Sequence, residues 1–135
     1  MPQQVEIAKH TIQVEECVMI IVLRGDLELD DMQRFLAIAD AVVDRHGGYA
    51  AIVDVRQLGS LTPAARIAAK NWQRSNTCLG NWFIGASFAT RTMLTLIVRG
   101  LQLFTARPLH AEFCKTEAEA RSRLSSRLRR HAAPL

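Results

Sequence analysis

No stretch of this 135-residue sequence stays apolar for long. The longest runs, such as Val18 to Leu23, fall far short of the roughly 20 residues a membrane-spanning helix needs. Cysteine is scarce. Its three occurrences, Cys17, Cys78 and Cys114, form no CxxC pair and meet no His at metal-ligand spacing, which argues for buried thiols in a reducing compartment. The opening residues MPQQVEIAKH lack a basic leader, an apolar core and a small-residue cleavage site, so the expectation is a cytoplasmic protein. Gly and Pro are too few for a low-complexity or fibrous chain. A Gly-rich phosphate loop and a dinucleotide fingerprint are both missing, and His10, His46, His110 and His131 stand far apart without His-x-x-x-His spacing. No cofactor and no metal are therefore expected.

The composition that remains, 49% apolar and 22% charged, is that of one ordinary globular domain, expected to span residues 1–135 with a frayed tail from Leu128 onward. Charge is unevenly placed. Residues 1–54 carry four Lys/Arg against ten Asp/Glu, and the remainder carries thirteen against three. No aromatic residues are interleaved with the later cations as a single-strand binder needs, so nucleic acid is not an expected partner.

Residues 5–15 alternate loosely and read as one strand, joined by a tight turn to CVMIIVLRG, a β-branched strand. DLELDDMQRFLAIADAVVDRHGG then sets Met32, Phe35, Leu36, Ala39, Val42 and Val43 at helical spacing, with Glu28, Asp30 and Asp31 at the positive end of the helix dipole and Gly47 beyond the other end. Tyr49 to Val55 reads as an interior strand, followed by a short loop. Thr62 and Pro63 open a second helix, whose polar face is Arg66, Lys70, Gln73 and Arg74 and whose expected buried side is Ala64, Ile67, Ala68 and Trp72. NWFIGAS reads as a strand, and residues 89–106 as a third helix with a polar stripe of Arg91, Thr95, Arg99 and Gln102. After Pro108, LHAEFC makes a last strand, and Thr116 with Glu119 caps a final helix supported by Glu117–Arg121 and Glu119–Arg123 pairs. This order implies an α/β sandwich: a mixed, mostly parallel central sheet of about five strands, one antiparallel contribution near an edge, and four covering helices.

With those elements in place, the segments "VLRGDLELDDM", "DRHGG", "IVDVRQLGSLTPAAR", "GASFATRTM" and "FCKTEAEARSRL" resemble the STAS superfamily, in its SpoIIAA-like branch, whose architecture is similar to that of the CRAL-TRIO lipid carriers. The resemblance implies a single domain that binds rather than catalyses. In the antagonists of that family an Asp-Ser-Ser-Gly motif opens the helix after the strand Asp, and one of its serines is phosphorylated. Laid from Asp54, the pattern puts Thr62 at the acidic position, Pro63 and Ala64 at the serines and Ala65 at the glycine, so the phosphoacceptor is absent. Ser60 and Thr62 are the nearest substitutes.

Two places stand out as candidate sites. At the junction of strand and second helix, Asp54, Arg56, Ser60, Thr62 and Ser87 read either as the lining of one concave edge at the carboxyl ends of the strands, or as loop and helix caps. Along the third helix, Arg91, Met93, Leu94, Ile97, Val98, Leu101 and Phe104 belong to an apolar arc, with Leu96 and Leu103, wider than one sheet face requires. That arc reads as the interface of a homodimer or of another protein partner, or as surface that the fourth helix covers. Apolar-ligand binding, or weak contact with an anionic membrane through Arg107 and the C-terminal arginines, is the alternative. Nucleophiles are poorly supported: Ser87 lacks the following glycine of a nucleophile elbow, position 89 being Ala, and Cys114 reads as a core thiol.

Overall fold

A computed structural model describes residues 3–72, 77–102 and 110–132. Its elements run β1 (Gln3–Ile7), β2 (His10–Glu15), β3 (Val18–Leu27), α1 (Leu29–His46), β4 (Tyr49–Leu61), α2 (Pro63–Asn71), β5 (Cys78–Ile84), α3 (Phe88–Gln102), β6 (Ala111–Cys114) and α4 (Glu117–Ala132). One six-stranded sheet holds all the strands in chain order, antiparallel from β1 to β3 and parallel from β3 to β6. The α/β architecture agrees with the expectation. The extra strand arises because residues 5–15 do not run as one: Ala8, at φ 55°, turns the chain so that Ile7 pairs with His10. A second tight turn, with Glu16 at φ 54°, pairs Glu15 with Val18. Neither turn carries the Gly or Asn that ordinarily marks a left-handed position.

Alternation along β4 separates two cores. Ala51, Val53 and Val55 face one side with Met19, Leu23, Phe83 and the helical residues Phe35, Ala39 and Leu94. Ala50 and Ile52 face the other with Trp82, Ile84, Cys114 and the α4 residues Ala120 and Leu124. Each β-α-β unit steps one strand along the sheet in the same direction, and right-handed crossovers then place α1, α2 and α3 on one face. The chain's last helix covers the other. It continues to Ala132, past the expected fraying at Leu128, because Leu128 still packs on the second core.

Helix ends obey local chemistry. The Asp31 carboxylate accepts the Glu28 N–H (3.0 Å) at the start of α1, and Gly47 closes that helix in the left-handed region at φ 80°. Thr116 Oγ1 accepts the Glu119 N–H (3.1 Å), while the Glu119 carboxylate reaches back to the Lys115 N–H (3.1 Å). The Glu117–Arg121 and Glu119–Arg123 pairs form as spaced. Buried His10 is satisfied through Nδ1, which accepts the Arg24 N–H (3.0 Å).

Two findings differ from the sequence pattern in α2 and β4. The stretch after Val55 is not a loop: β4 continues to Leu61, paired with β3 through two register shifts. In α2, Ala65 rather than Ala64 is fully buried, and Ile67 is 57% exposed. A short helix wedged between α1 and α3 buries a narrower stripe than amphipathic spacing suggests.

Trp82 is the largest fully buried side chain, and its indole N–H donates to Glu112 Oε2 (2.7 Å). Trp82→Ala is expected to lower unfolding free energy by about 3–5 kcal/mol, read from urea denaturation; a loss within about 0.5 kcal/mol, the range of surface substitutions, contradicts the second core described above.

Candidate functional site

The junction residues occupy the carboxyl ends of the parallel strands, yet they do not converge. Val55 points into the first core, so Asp54 and Arg56 point to the α4 side. There the Arg56 guanidinium clasps the Asp54 carboxylate in two places, Nη2 to Oδ2 at 2.6 Å and Nε to Oδ1 at 3.0 Å. The stem of Arg56 lies across Gly85, where φ is 72° and a side chain would collide with it. Ser60 sits in the bulged extension of β4, its N–H and hydroxyl both donating to Asp26 Oδ1 (3.0 and 3.1 Å). Thr62 caps α2 by accepting the Ala65 N–H (3.2 Å), and Ser87 caps α3 by accepting the Thr90 N–H (3.2 Å). Every one of these polar groups has a local partner, which is what capping and turn chemistry require.

Ionisation at the junction follows from that geometry. Hydrogen bonds from Arg56 hold the Asp54 carboxyl below the usual carboxylate range, against an upward push from partial burial, and Asp54 in turn raises Arg56. Burial raises the thiol of Cys114, and likewise those of Cys17 and Cys78, away from reactive thiolates. A second polar knot joins β5, β6 and α4. Glu112 accepts from Trp82, from Arg123 (2.9 Å) and from His110 (2.8 Å); burial pushes its carboxyl up, and the three bonds together pull it lower.

The candidate interface on α3 divides. Leu94 is only 6% exposed and packs into the first core, since it lies nearly opposite Leu96 around the helix; it cannot contribute to an outer surface. Arg91 stacks its guanidinium over the Phe113 ring at 5.0 Å. Val98 lines a half-open pocket of about 200 Å³ between α1, α2, α3 and the sheet. Met93 and Ile97 remain at the surface of a groove between α2 and α3. The side chain of Leu101 and all of Phe104 lie outside the described residues.

That groove, of about 700 Å³, is the concave feature the sequence reading did not assemble. Arg66 and Lys70 of α2 form one wall; Phe88, Thr92, Leu96 and Ile97 of α3 form the other, and Gly100 ends it. Phe88 is 87% exposed and Leu96 62%. Sequence patterning starts the helix at Ala89 and so passes over Phe88. One signal was available: no Asp or Glu occurs between Asp54 and Glu112, while Arg66, Lys70, Arg91 and Arg99 all fall in that interval. The arrangement offers an apolar floor with a cationic wall, suited to binding. Among the described residues, no three His, Cys, Asp or Glu side chains form a group that could hold a metal, and no helix is long and apolar enough to cross a membrane.

If Arg56 sets the Asp54 ionisation, Arg56→Gln should move the Asp54 pKa upward in a carboxyl NMR titration. A depressed folded-state pKa contributes stability above the ordinary carboxylate range and loses it as pH falls through the depressed value. The variant should therefore lose stability at neutral pH relative to wild type, the difference vanishing in strong acid; an unmoved Asp54 titration contradicts the pairing.

No family model matches the sequence, and the curated proteins include no match. Solved structures do resemble it. An uncharacterized protein of the DUF3478 family with a SpoIIAA-like fold, from Shewanella loihica PV-4, superposes with a TM-score of 0.58 at 14% identity, over 92% of each chain. The anti-sigma factor antagonist SpoIIAA in its unphosphorylated form gives 0.55 at 13% identity, over 93% of this chain and 98% of that one. The Bacillus cell fate determinant SpoIIAA in its phosphorylated form gives 0.52 at 14% identity, over 92% of this chain and 99% of that one. The chain has a SpoIIAA-like fold.

Proposed function

We propose that the protein is a non-enzymatic regulatory or scaffolding module that acts by binding another protein through the α2–α3 face. The observation that carries this reading is Phe88 and Leu96, large apolar side chains exposed along one groove. The likeness to an anti-sigma factor antagonist supports a regulatory role. Pro63 and Ala64, where the family pattern has serines, support a module that works without the usual phosphorylation switch. Three unpaired cysteines support an address in a reducing compartment such as the cytoplasm. A homodimer through this face is the weaker form of the proposal, because a two-fold contact sets the cationic wall of one copy near that of the other.

A photo-reactive amino acid at Leu96, in protein expressed at native level, is expected to give a protein adduct that the same group at exposed Gln33 of α1 does not. Absence of any adduct at Leu96 contradicts the reading.

A second reading rests on the half-open pocket under α1, α2 and α3. Phe35, Trp72, Phe83 and Leu94 are among its mostly apolar walls, and a pocket of this size has room for a small apolar ligand. Benzene titrated into the protein should shift the NMR methyl signals of Leu94 and Val53 in a saturable way. Unshifted methyls at benzene saturation remove the apolar-ligand reading.

A further inference from the structure

The groove's occupant has a chemistry that its walls specify. We propose that the α2–α3 groove receives an acidic amphipathic helix of a partner protein, its apolar stripe on Phe88, Leu96 and Ile97 and its carboxylates opposite Arg66 and Lys70. The inference rests on the protein-binding reading above and names the class of partner.

Shape comes first. The groove follows α3 from Phe88 to Gly100, a rise of about 18 Å, which matches some three turns of a helix lying alongside. A helix in such a groove places apolar side chains at i, i+3 or i+4, and i+7, and the exposed floor residues Phe88 and Leu96 stand about two turns apart to receive them. A trough between two helices suits a rod better than it suits the plane of a bilayer.

Charge selects the partner's sign. Arg66 is held on the wall through Nε, which donates to the Leu61 carbonyl (3.2 Å). Neither α2 nor α3 contains an Asp or Glu, so a basic helix finds no carboxylate on either wall and faces two cations. A second copy docked by the same face meets the same opposition. The acid-free interval thus acts as selection against wrong partners as well as attraction for the right one.

Gly100 supplies the means of testing this. A Cβ built there meets nothing within 4 Å and the position lines the groove, and both Ala and Glu are better helix formers than glycine. Gly100→Glu therefore puts a carboxylate into the groove of a folded protein, and Gly100→Ala is the neutral control. The probe is a labelled synthetic peptide of about five helical turns with Leu at one face and Glu flanking it, compared with its Glu-to-Lys counterpart by fluorescence anisotropy against the full chain. The acidic peptide is expected to bind at least roughly tenfold tighter than the basic one, to weaken as salt rises, and to lose roughly tenfold in Gly100→Glu but not in Gly100→Ala, with thermal unfolding of both variants at or above that of wild type. Equal affinity for the two peptides, no binding of either, or indifference to Gly100→Glu overturns the proposal. Binding to phosphatidylserine-containing vesicles that Gly100→Glu abolishes, or concentration-dependent dimerisation in light scattering that it abolishes, also overturns it, by assigning the groove to a membrane or a second copy. Failure here with a surviving protein adduct at Leu96 rejects the acidic helix alone; loss of that adduct as well rejects the protein-binding reading.

Discussion

Three crossovers that step the same way along one sheet decide most of what this molecule presents to its surroundings. Because β3, β4, β5 and β6 are neighbours in chain order, the connecting helices α1, α2 and α3 share one face, and only α4 remains for the other. The first face is crowded at α1, where Phe35, Ala39 and Val42 reach the core, and thin at α3, which stands at the end of the row. The side of α3 toward α2 carries apolar residues that the described residues leave exposed, and Phe88 and Leu96 line the groove there.

Charge segregation follows the same geometry. The acidic residues lie mainly in the first hairpin and α1, and the acid-free interval from Val55 to Ala111 contains α2, β5 and α3. A helix pair with cations and no carboxylates gains nothing for folding from that bias, since surface ion pairs contribute little either way. It matters for what approaches. The few carboxylates of the later chain are committed within the domain: Glu112 to Trp82, His110 and Arg123, and Glu117 to Arg121.

Local signals in the sequence proved sufficient for the helices and their caps. Thr62, the Gly47 terminus, the Thr116 cap and the spaced ion pairs of α4 depend on neighbours a few residues away, which a linear sequence displays directly. The α/β architecture was legible for the same reason. What stayed hidden depends on residues far apart. The turns at Ala8 and Glu16 lack their usual residues and are imposed by strand pairing. The extension of β4 to Leu61 exists because β3 is there to pair with it, and the burial of Ala65 in place of Ile67 reflects which neighbours flank α2. Asp54, Arg56, Ser60 and Thr62 looked like one site because they are close in sequence, but alternation at Val55 sends Asp54 and Arg56 to the side opposite α2. The groove escaped notice because it needs two helices at once.

What the protein does therefore depends on whether the groove side of α3 is covered when it works. Hydroxyl-radical footprinting of Phe88, Met93 and Leu96, in cells and in the purified protein, reads that directly. Strong protection of these side chains in cells relative to the purified chain, with exposed Val5 on β1 equally reactive in both, is the result expected. Equal reactivity of all four side chains in the two settings contradicts it.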